Sequence, residues 1–396
     1  MKYKVTAVLI TAFLIIIPVW GQQTASSSSG QTSFLLSGYG FINFENEDGS
    51  PSNFESGFAP IFLWKVNDRI FFEGEAEFEL EDGGTNVGLE YAQLFYVFND
   101  YITVGGGKFL SPVNNFVERL HPTWINKLPT MPLGLSSHGG VPLLAGTQIG
   151  VQARGGVDAG GGKITYSVYL SNGPTLNVAV EDSLDNHGEG ALYKTTDGDE
   201  GEDGHGVSAN GTLNFSNTND NNDNKAIGGR ISFIPFSQFE IGVGIESATV
   251  GSKDTPFSDM KAMTNAVDIA LTRDLAFLKG RVDLRGQYVR LKVDNPDAHP
   301  LEFDNESNAY YAQFAYQPAD VESTFLKNIE LVTRFDKLDL PEEAPLNIDI
   351  ERVSLGLNYW FAPSTVFKIA YESITSIHED EEETGNMLIG QFSIGF

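Results

Sequence analysis

Sixteen segments of about ten residues, each alternating apolar and polar side chains, run through this chain, and that two-residue period most constrains what it can fold into. Successive side chains on a strand point to opposite faces, so one parity must be apolar and the other polar wherever a sheet separates two environments. The segments fall at 33–44, 55–66, 69–80, 86–98, 101–110, 146–157, 161–172 and 225–234, and again at 238–249, 262–274, 276–293, 306–317, 326–339, 348–360, 364–376 and 385–396. The last is the clearest: Leu388, Phe392, Ile394 and Phe396 share one parity, while Gln391 and Ser393 take the other. The segment at 262–274 also fits a helical stripe, through Ala262, Met263, Ala266, Val267 and Ala270. Its place in the series favours a strand.

The connections sharpen the reading. Those after the second, fourth and every later even segment are tight, as in ND at 99–100 and APST at 362–365. Those after the odd segments are longer or more polar: 45–54, 81–85, 111–145, 173–224, 250–261, 294–305, 340–347 and 377–384. Short turns on one side and long loops on the other are the connectivity of a transmembrane antiparallel β-barrel of about 16 strands, with both ends of the chain on the short-turn side. Trp64, Phe98, Tyr101, Phe236, Phe239, Phe277, Phe325, Trp360 and Phe361 cluster near the tight turns. Aromatic rings favour the boundary between lipid and water, so these residues predict a girdle.

Lys2 and Lys4 precede an apolar run from Val5 to Trp20, and Val19 and Gly21 suit a cleavage site, so residues 1–21 read as a secretory signal peptide. A retained anchor is the competing reading, but the run is short and a polar linker, 22–32, follows it. The barrel then occupies 33–396. There is no Cys, which excludes disulfides, thiol catalysis and Cys-ligated zinc. Without the two leader lysines the chain holds 23 bases against 53 acids, a net charge of -30, which excludes nucleic acid as a partner.

Of the 53 acids, 29 lie in seven of the outer loops, leaving the third aside. Loop 173–224 carries DGDEGEDG, with Asp197, Asp199, Glu200, Glu202 and Asp203, and the last loop carries Glu379 to Glu383. Clustered carboxylates suit hard cations. The EF-hand order fails, however, because Gly201 and Glu202 stand where a ligand and the obligatory glycine belong. A solvated acidic loop facing the outer leaflet is the preferred reading.

Fixing the apolar parity outward names the lumen. On the third segment Ile70, Phe72, Ala76, Phe78 and Leu80 face lipid, which puts Glu73, Glu75, Glu77 and Glu79 inside. On the eleventh, Val282, Leu284 and Tyr288 face out and Lys279, Arg281, Asp283, Arg285 and Gln287 face in. Glu330, Arg334, Asp336, Arg352, Lys368 and Glu372 add to the inner wall. The third and eleventh segments are eight apart in a ring of sixteen, so an acidic ladder is expected to face a basic wall across a water-filled pore. Simple pairing of lumen charges with their neighbours is the alternative.

No catalytic constellation emerges. HExxH, GxSxG and phosphate-loop patterns are absent, and the six histidines, 121, 138, 187, 205, 299 and 378, all fall in expected outer loops. His121 and His138 lack paired metal-ligand spacing, so neither a metal nor a cofactor is expected. GGGK at 105–108 lacks phosphate-loop spacing and marks a strand end.

The leader, the sixteen segments, the terminal QFSIGF and the long third loop together resemble the bacterial porins. The stretch GGGKFLSPVNNFVERLHPTWINKLPTMPL, Gly105 to Leu133, looks like the phosphate-selective porin superfamily. That resemblance implies an outer-membrane location, a lipid environment, a homotrimer, and a third loop, 111–145, folded into the barrel as a constriction bearing Arg119, His121, Trp124 and Lys127. It does not extend to phosphate selectivity, since the loop's only bases are Arg119 and Lys127. The expected function is a passive, non-enzymatic channel for small hydrophilic solutes or ions with weak cation preference. The competing readings are a non-channel structural barrel or the sheath of an envelope complex, a barrel enzyme, and a soluble all-β protein.

Overall fold

The computed structural model describes residues 32–81, 84–136, 141–180, 207–216, 218, 220–254, 257–294, 304–341, 348–378 and 381–396. The expected signal peptide at 1–21, most of the 22–32 stretch, the DGDEGEDG run, His138, His187, His205 and His299 lie outside them.

Sixteen antiparallel strands close into a barrel, in the order β1-β18-β17-β16-β15-β14-β13-β12-β11-β10-β7-β6-β5-β4-β3-β2. The first half comprises β1 (Ser33–Glu47), β2 (Asn53–Lys65), β3 (Ile70–Glu81), β4 (Gly84–Val97), β5 (Thr103–Leu110), β6 (Thr147–Ala159) and β7 (Gly162–Ser171). The second comprises β10 (Ala226–Phe236), β11 (Phe239–Thr249), β12 (Lys261–Leu275), β13 (Gly280–Val293), β14 (Glu306–Pro318), β15 (Ile329–Asp339), β16 (Asp349–Ala362), β17 (Thr365–His378) and β18 (Glu381–Gly395). The two left over, β8 (Thr175–Val180) and β9 (Val207–Asn214), pair as a separate two-stranded sheet within the 173–224 loop. The stretch at 262–274 is a strand, since an isolated helix there would leave the edges of its two neighbours unpaired in lipid.

The ring closes where β1 meets β18, with Tyr39 opposite Gly395. Backbone bonds from Gly38 N to the Phe396 carbonyl (3.1 Å) and from Phe396 N to the Gly38 carbonyl (2.9 Å) fasten the chain's last residue. No edge is left open, as a sheet surrounded by hydrocarbon requires. The tight turns follow from their residues: Asn99 Oδ1 accepts from the backbone N–H groups of Tyr101 (2.9 Å) and Ile102 (3.0 Å), an Asx turn.

Four expectations change. Two outer connections shrink to two residues each, 82–83 and 379–380, because β3, β4, β17 and β18 run on through residues expected in loops. Glu381, Glu382 and Glu383 therefore belong to β18, opposite His378, Ile377 and Ser376, and not to a loop. The eleventh segment begins late: Ala276–Leu278 form a 3-10 turn, and Lys279 sits in the left-handed region at φ 51° before β13 starts. Trp360 leaves the girdle, since its parity points inward and its Nε1 donates to Glu330 Oε2 at 3.3 Å. Phe98, Tyr101, Phe277, Phe325 and Phe361 do stand exposed at the short-turn end.

Candidate functional site: the constricted lumen

The chain between β5 and β6 does not leave the barrel. Five prolines between 111 and 145 bar it from the wall's hydrogen-bond ladder, and it crosses the lumen instead. It opens with a short helix, α1 (Asn115–Leu120), whose N-cap Asn114 accepts from Val117 N at 3.2 Å. The Asn114 amide donates in turn to the Leu135 carbonyl at 2.6 Å, which ties the start of the loop to its return limb. Gln287 on β13 clasps the helix from the wall, accepting from Phe116 N (3.2 Å) and donating to the Val113 carbonyl (3.1 Å).

Two seats hold this loop. The first is apolar: Val113, Phe116, Val117, Leu133, Leu135 and Leu143 pack in one cluster with Val289 and Leu291 of β13 and Leu338 of β15. Leu176 and Leu213 of the β8–β9 sheet join the same cluster. Inward positions on a porous wall are normally polar, so the apolar parity at the outer ends of β13 and β15 exists to receive the loop.

The second seat is ionic, and it uses the bases of β15 to β17. Arg334 donates to the Thr130 carbonyl at 2.9 Å and to Asp336 at 3.0 Å. Arg352 reaches the Met131 carbonyl (2.5 Å) and Asp336 (2.8 Å), while Asp336 also accepts from Leu133 N at 3.0 Å. Lys127 pairs with Glu330, Thr130 donates to Glu372, and Lys368 donates to the Thr123 carbonyl and to Gln391. The wall side chains of this network are almost wholly buried. Charges so deep are tolerated only when paired and hydrogen-bonded, and here the loop's own carbonyls complete the set. Trp124 packs against Gly395, where a Cβ would fall 2.7 Å from its ring, and Arg119 spans to Glu240 at 2.8 Å.

The expected basic wall on β13 is not assembled. Lys279 is in the turn, Arg281 pairs with Asp274 (3.0 Å) where both are exposed, and Arg285 pairs with Asp283 on its own strand (2.8 Å). Arg230 on β10 is likewise neutralised by Asp268 (2.6 Å) and Glu240 (2.9 Å).

The opposite side of the lumen differs. Glu73, Glu75, Glu77 and Glu79 share the inward parity of β3, since Phe78 and Leu80 between and beyond them are exposed to lipid. Glu73 accepts from Gln93 Nε2 at 2.6 Å and lies 4.0 Å from Arg154, which stacks on Phe95. Glu77 and Glu79 are half-buried. Glu45 of β1, Glu55 of β2 and Glu90 of β4 join them, also half-buried. Sequence parity missed these three. Glu45 fell in an expected loop, Glu55 opened the second segment, and Glu90 is the extra residue of a bulge, because Glu75 pairs with Tyr91 while the next residue, Ala76, pairs with Leu89. Among the described residues, no ion pair involves Glu45, Glu55, Glu77 or Glu90.

On the acidic side the loop meets the wall through His121. His121, at the C-terminal end of α1, holds its Nδ1 at 2.6 Å from the Val117 carbonyl and turns its Nε2 toward Glu75 Oε1, 3.7 Å away. Tyr39 stands edge-on to the imidazole, with ring centroids 6.4 Å apart. Burial works against a charge on this ring, but the carboxylates of Glu75 and Glu90 and the Val117 carbonyl outweigh it and raise the His121 pKa to about 9.

No family model matches the chain, and no curated protein matches it. Solved structures do. The outer-membrane channel DcaP of Acinetobacter baumannii shares 13% identity over 93% of this chain and 100% of its own, with a TM-score of 0.55. OmpF of Salmonella typhi, solved with daunomycin, shares 12% over 93% and 98%, with a TM-score of 0.54. An anion-selective porin from Comamonas acidovorans shares 10% over 92% and 100%, with a TM-score of 0.52. At such identities the likeness is one of fold: this chain has the closed sixteen-stranded antiparallel architecture of outer-membrane channel proteins.

Proposed function

We propose that this protein is a porin of a bacterial outer membrane, a passive diffusion channel for small hydrophilic solutes with a preference for cations. The observation that carries the reading is the asymmetry of the lumen. Bases on one side are buried, paired and covered by the constriction loop, whereas Glu45, Glu55, Glu77 and Glu90 on the other keep solvent contact and form no ion pair within 4.0 Å among the described residues. A solute passing between loop and wall therefore moves along an acidic lane over β1 to β4. Carboxylates that close to a permeating ion act within the Debye length of about 8 Å, while the distant outer loops are screened. The fold's neighbours support an outer-membrane location, and OmpT of Vibrio cholerae, one of them, is known in a trimer form. The same assembly is our reading for this chain.

Reversal potentials in a planar bilayer under a salt gradient test the proposal. Replacing Glu45, Glu55, Glu77 and Glu79 with Gln is expected to move the potential toward anions further than the same change at Glu382 and Glu383 does. A larger shift from the outer pair would place selectivity outside the lumen. A second reading, a non-channel structural barrel, draws on the apolar seat that fills the outer half of the lumen beside β13 and β15. Folded protein that inserts and gives no stepwise current would favour it.

A further inference from the structure

Lys108, the last residue of the GGGK stretch, faces lipid. It pairs with Ala92 of β4 and Ile149 of β6, and it alternates with Phe109, which is buried on the lumen side in the apolar seat of the loop. Leu94 and Val151, both paired with Gly106 on the same outward parity, are exposed. Leu89 and Val87 are exposed farther up β4, so Lys108 lies within the apolar band and not at its rim. A base is costly in such a place.

What the lysine reaches explains why it is kept. Its Nζ donates to the Leu89 carbonyl at 2.5 Å. The ladder between β4 and β5 ends at Ala92 and Lys108, and beyond it Phe109 and Leu110 pair with β6 alone. Among the described residues, the edge of β4 that carries Leu89 and Glu90 therefore has no strand beside it on this side, and hydrocarbon offers a carbonyl no donor. Gly107 makes the reach possible. It stands at φ 129°, and its backbone runs so near β4 that a Cβ there would meet the Ala92 carbonyl oxygen.

Leu89 also adjoins the bulge. Ala92, Leu94 and Tyr96 take the outward parity, and carried on without interruption that parity would send Glu90 to lipid and Leu89 and Val87 into the lumen. The extra residue reverses the sense. Leu89 and Val87 stay outside, while Glu90 joins the lane, close enough to His121 to help raise its pKa. The carbonyl that Lys108 holds belongs to the peptide joining Leu89 to Glu90, where the chain turns into the bulge.

We propose that Lys108 is a positioning residue for the selectivity of the pore: from the lipid face it fixes the β4 bulge and thereby keeps the Glu90 carboxylate in the lumen. Elsewhere in the wall a neighbouring strand does this, and here an ammonium group takes its place. The effect on selectivity rests on the channel reading, whereas the placement of Glu90 does not.

Two readouts keep those parts separate. The first is thiol chemistry on the otherwise Cys-free chain, in detergent-folded protein whose heat-modifiable migration verifies the barrel. Glu90→Cys should react readily with a quaternary-ammonium methanethiosulfonate. Adding Lys108→Met, an apolar side chain of similar length that suits lipid, should slow the reaction by about tenfold, the equilibrium worth of one hydrogen bond from a charged donor. Lys108→Arg, which keeps a charged donor, should restore the rate. Glu77→Cys, on the neighbouring strand, should react alike in all three backgrounds. An unchanged or faster rate when Lys108→Met joins Glu90→Cys, no recovery with Lys108→Arg, or equal slowing at Glu77→Cys overturns the proposal.

The second is the reversal potential in a planar bilayer. Loss of a positive charge by itself favours cations, so a purely electrostatic Lys108 predicts a stronger cation preference in Lys108→Met. Displacement of Glu90 predicts a weaker one, and a smaller effect of Lys108→Met where Glu90→Gln is already present. An unchanged or stronger preference, or shifts that add in full, overturns the proposal. Labelling that behaves as expected alongside no current in any variant would overturn the channel reading and leave the placement of Glu90 by Lys108 standing.

Discussion

Leu128, on the inner limb of the constriction loop, sits over Gly356 of β16 where the wall would otherwise carry a side chain: a Cβ at Gly356 would fall 2.6 Å from Leu128 Cδ2. The missing side chain is a socket, and the loop's depth in the lumen depends on it. Gly356→Val should therefore push the inner limb toward the lane. Overpacking of this kind costs about 1–3 kcal/mol where the structure must yield. The expected readout is a changed single-channel conductance with unchanged heat-modifiable migration. Unchanged conductance would mean that the inner limb does not set the bore.

The ionic seat should be far less tolerant. Arg352→Met removes one of the two guanidinium groups that hold Asp336 and leaves a buried carboxylate short of partners. Breaking a buried pair from one side costs about 3–5 kcal/mol. A lower urea midpoint is expected, together with new protease cleavage within 113–136. By contrast, Lys253→Ala breaks the exposed pair with Asp223 and should leave the midpoint where it was.

The parity of each strand was readable in advance because hydrocarbon on one side and water on the other impose it along every strand. Glu73, Glu75, Glu77, Glu79, Arg334, Arg352 and Lys368 could all be placed that way. What alternation does not record is a local change of geometry. The bulge that admits Glu90, the left-handed Lys279, the inward Trp360 and the lengthened β17–β18 pair each interrupt or extend the pattern within one or two residues. The loop's anchors were beyond reach for another reason. Lys127 and Glu330 lie 203 residues apart, and nothing local in either marks the other.

The His121 contact predicts a pH dependence of its own. The groups around the ring are Glu75, Glu77 and Glu90, the Tyr39 ring and the Val117 carbonyl. The pKa of the ring is raised from 6.5 to about 9 in the folded protein, so the charged ring contributes stability that is complete below pH about 6.5. That contribution is lost as pH rises through about 9. Protection of the loop against protease should weaken across this window in the wild type and show no such step in His121→Gln. A step of equal size in both would assign it to another group.

Topology can be checked with single cysteines, because the natural chain has none. Ser50, in the β1–β2 connection, should react with an impermeant maleimide in intact cells, and Asp100, in the β4–β5 turn, only after the envelope is opened. Reaction at Asp100 in intact cells would reverse the barrel's orientation.

The constriction loop is made before its socket. Its polar anchors on β11 and β13 to β18 all come later in the chain, the most distant being Ser393, 270 residues beyond its partner Thr123. While the chain is being exported, Lys127 and the carbonyls of Thr130 and Met131 have nothing to hold, and early hairpins form without guidance from the loop. Only when β18 meets β1 do all the counter-charges stand in one ring. Docking of the loop thus certifies a completed barrel: a product cut short before its last strands would carry the plug unfastened, a leak in place of a filter.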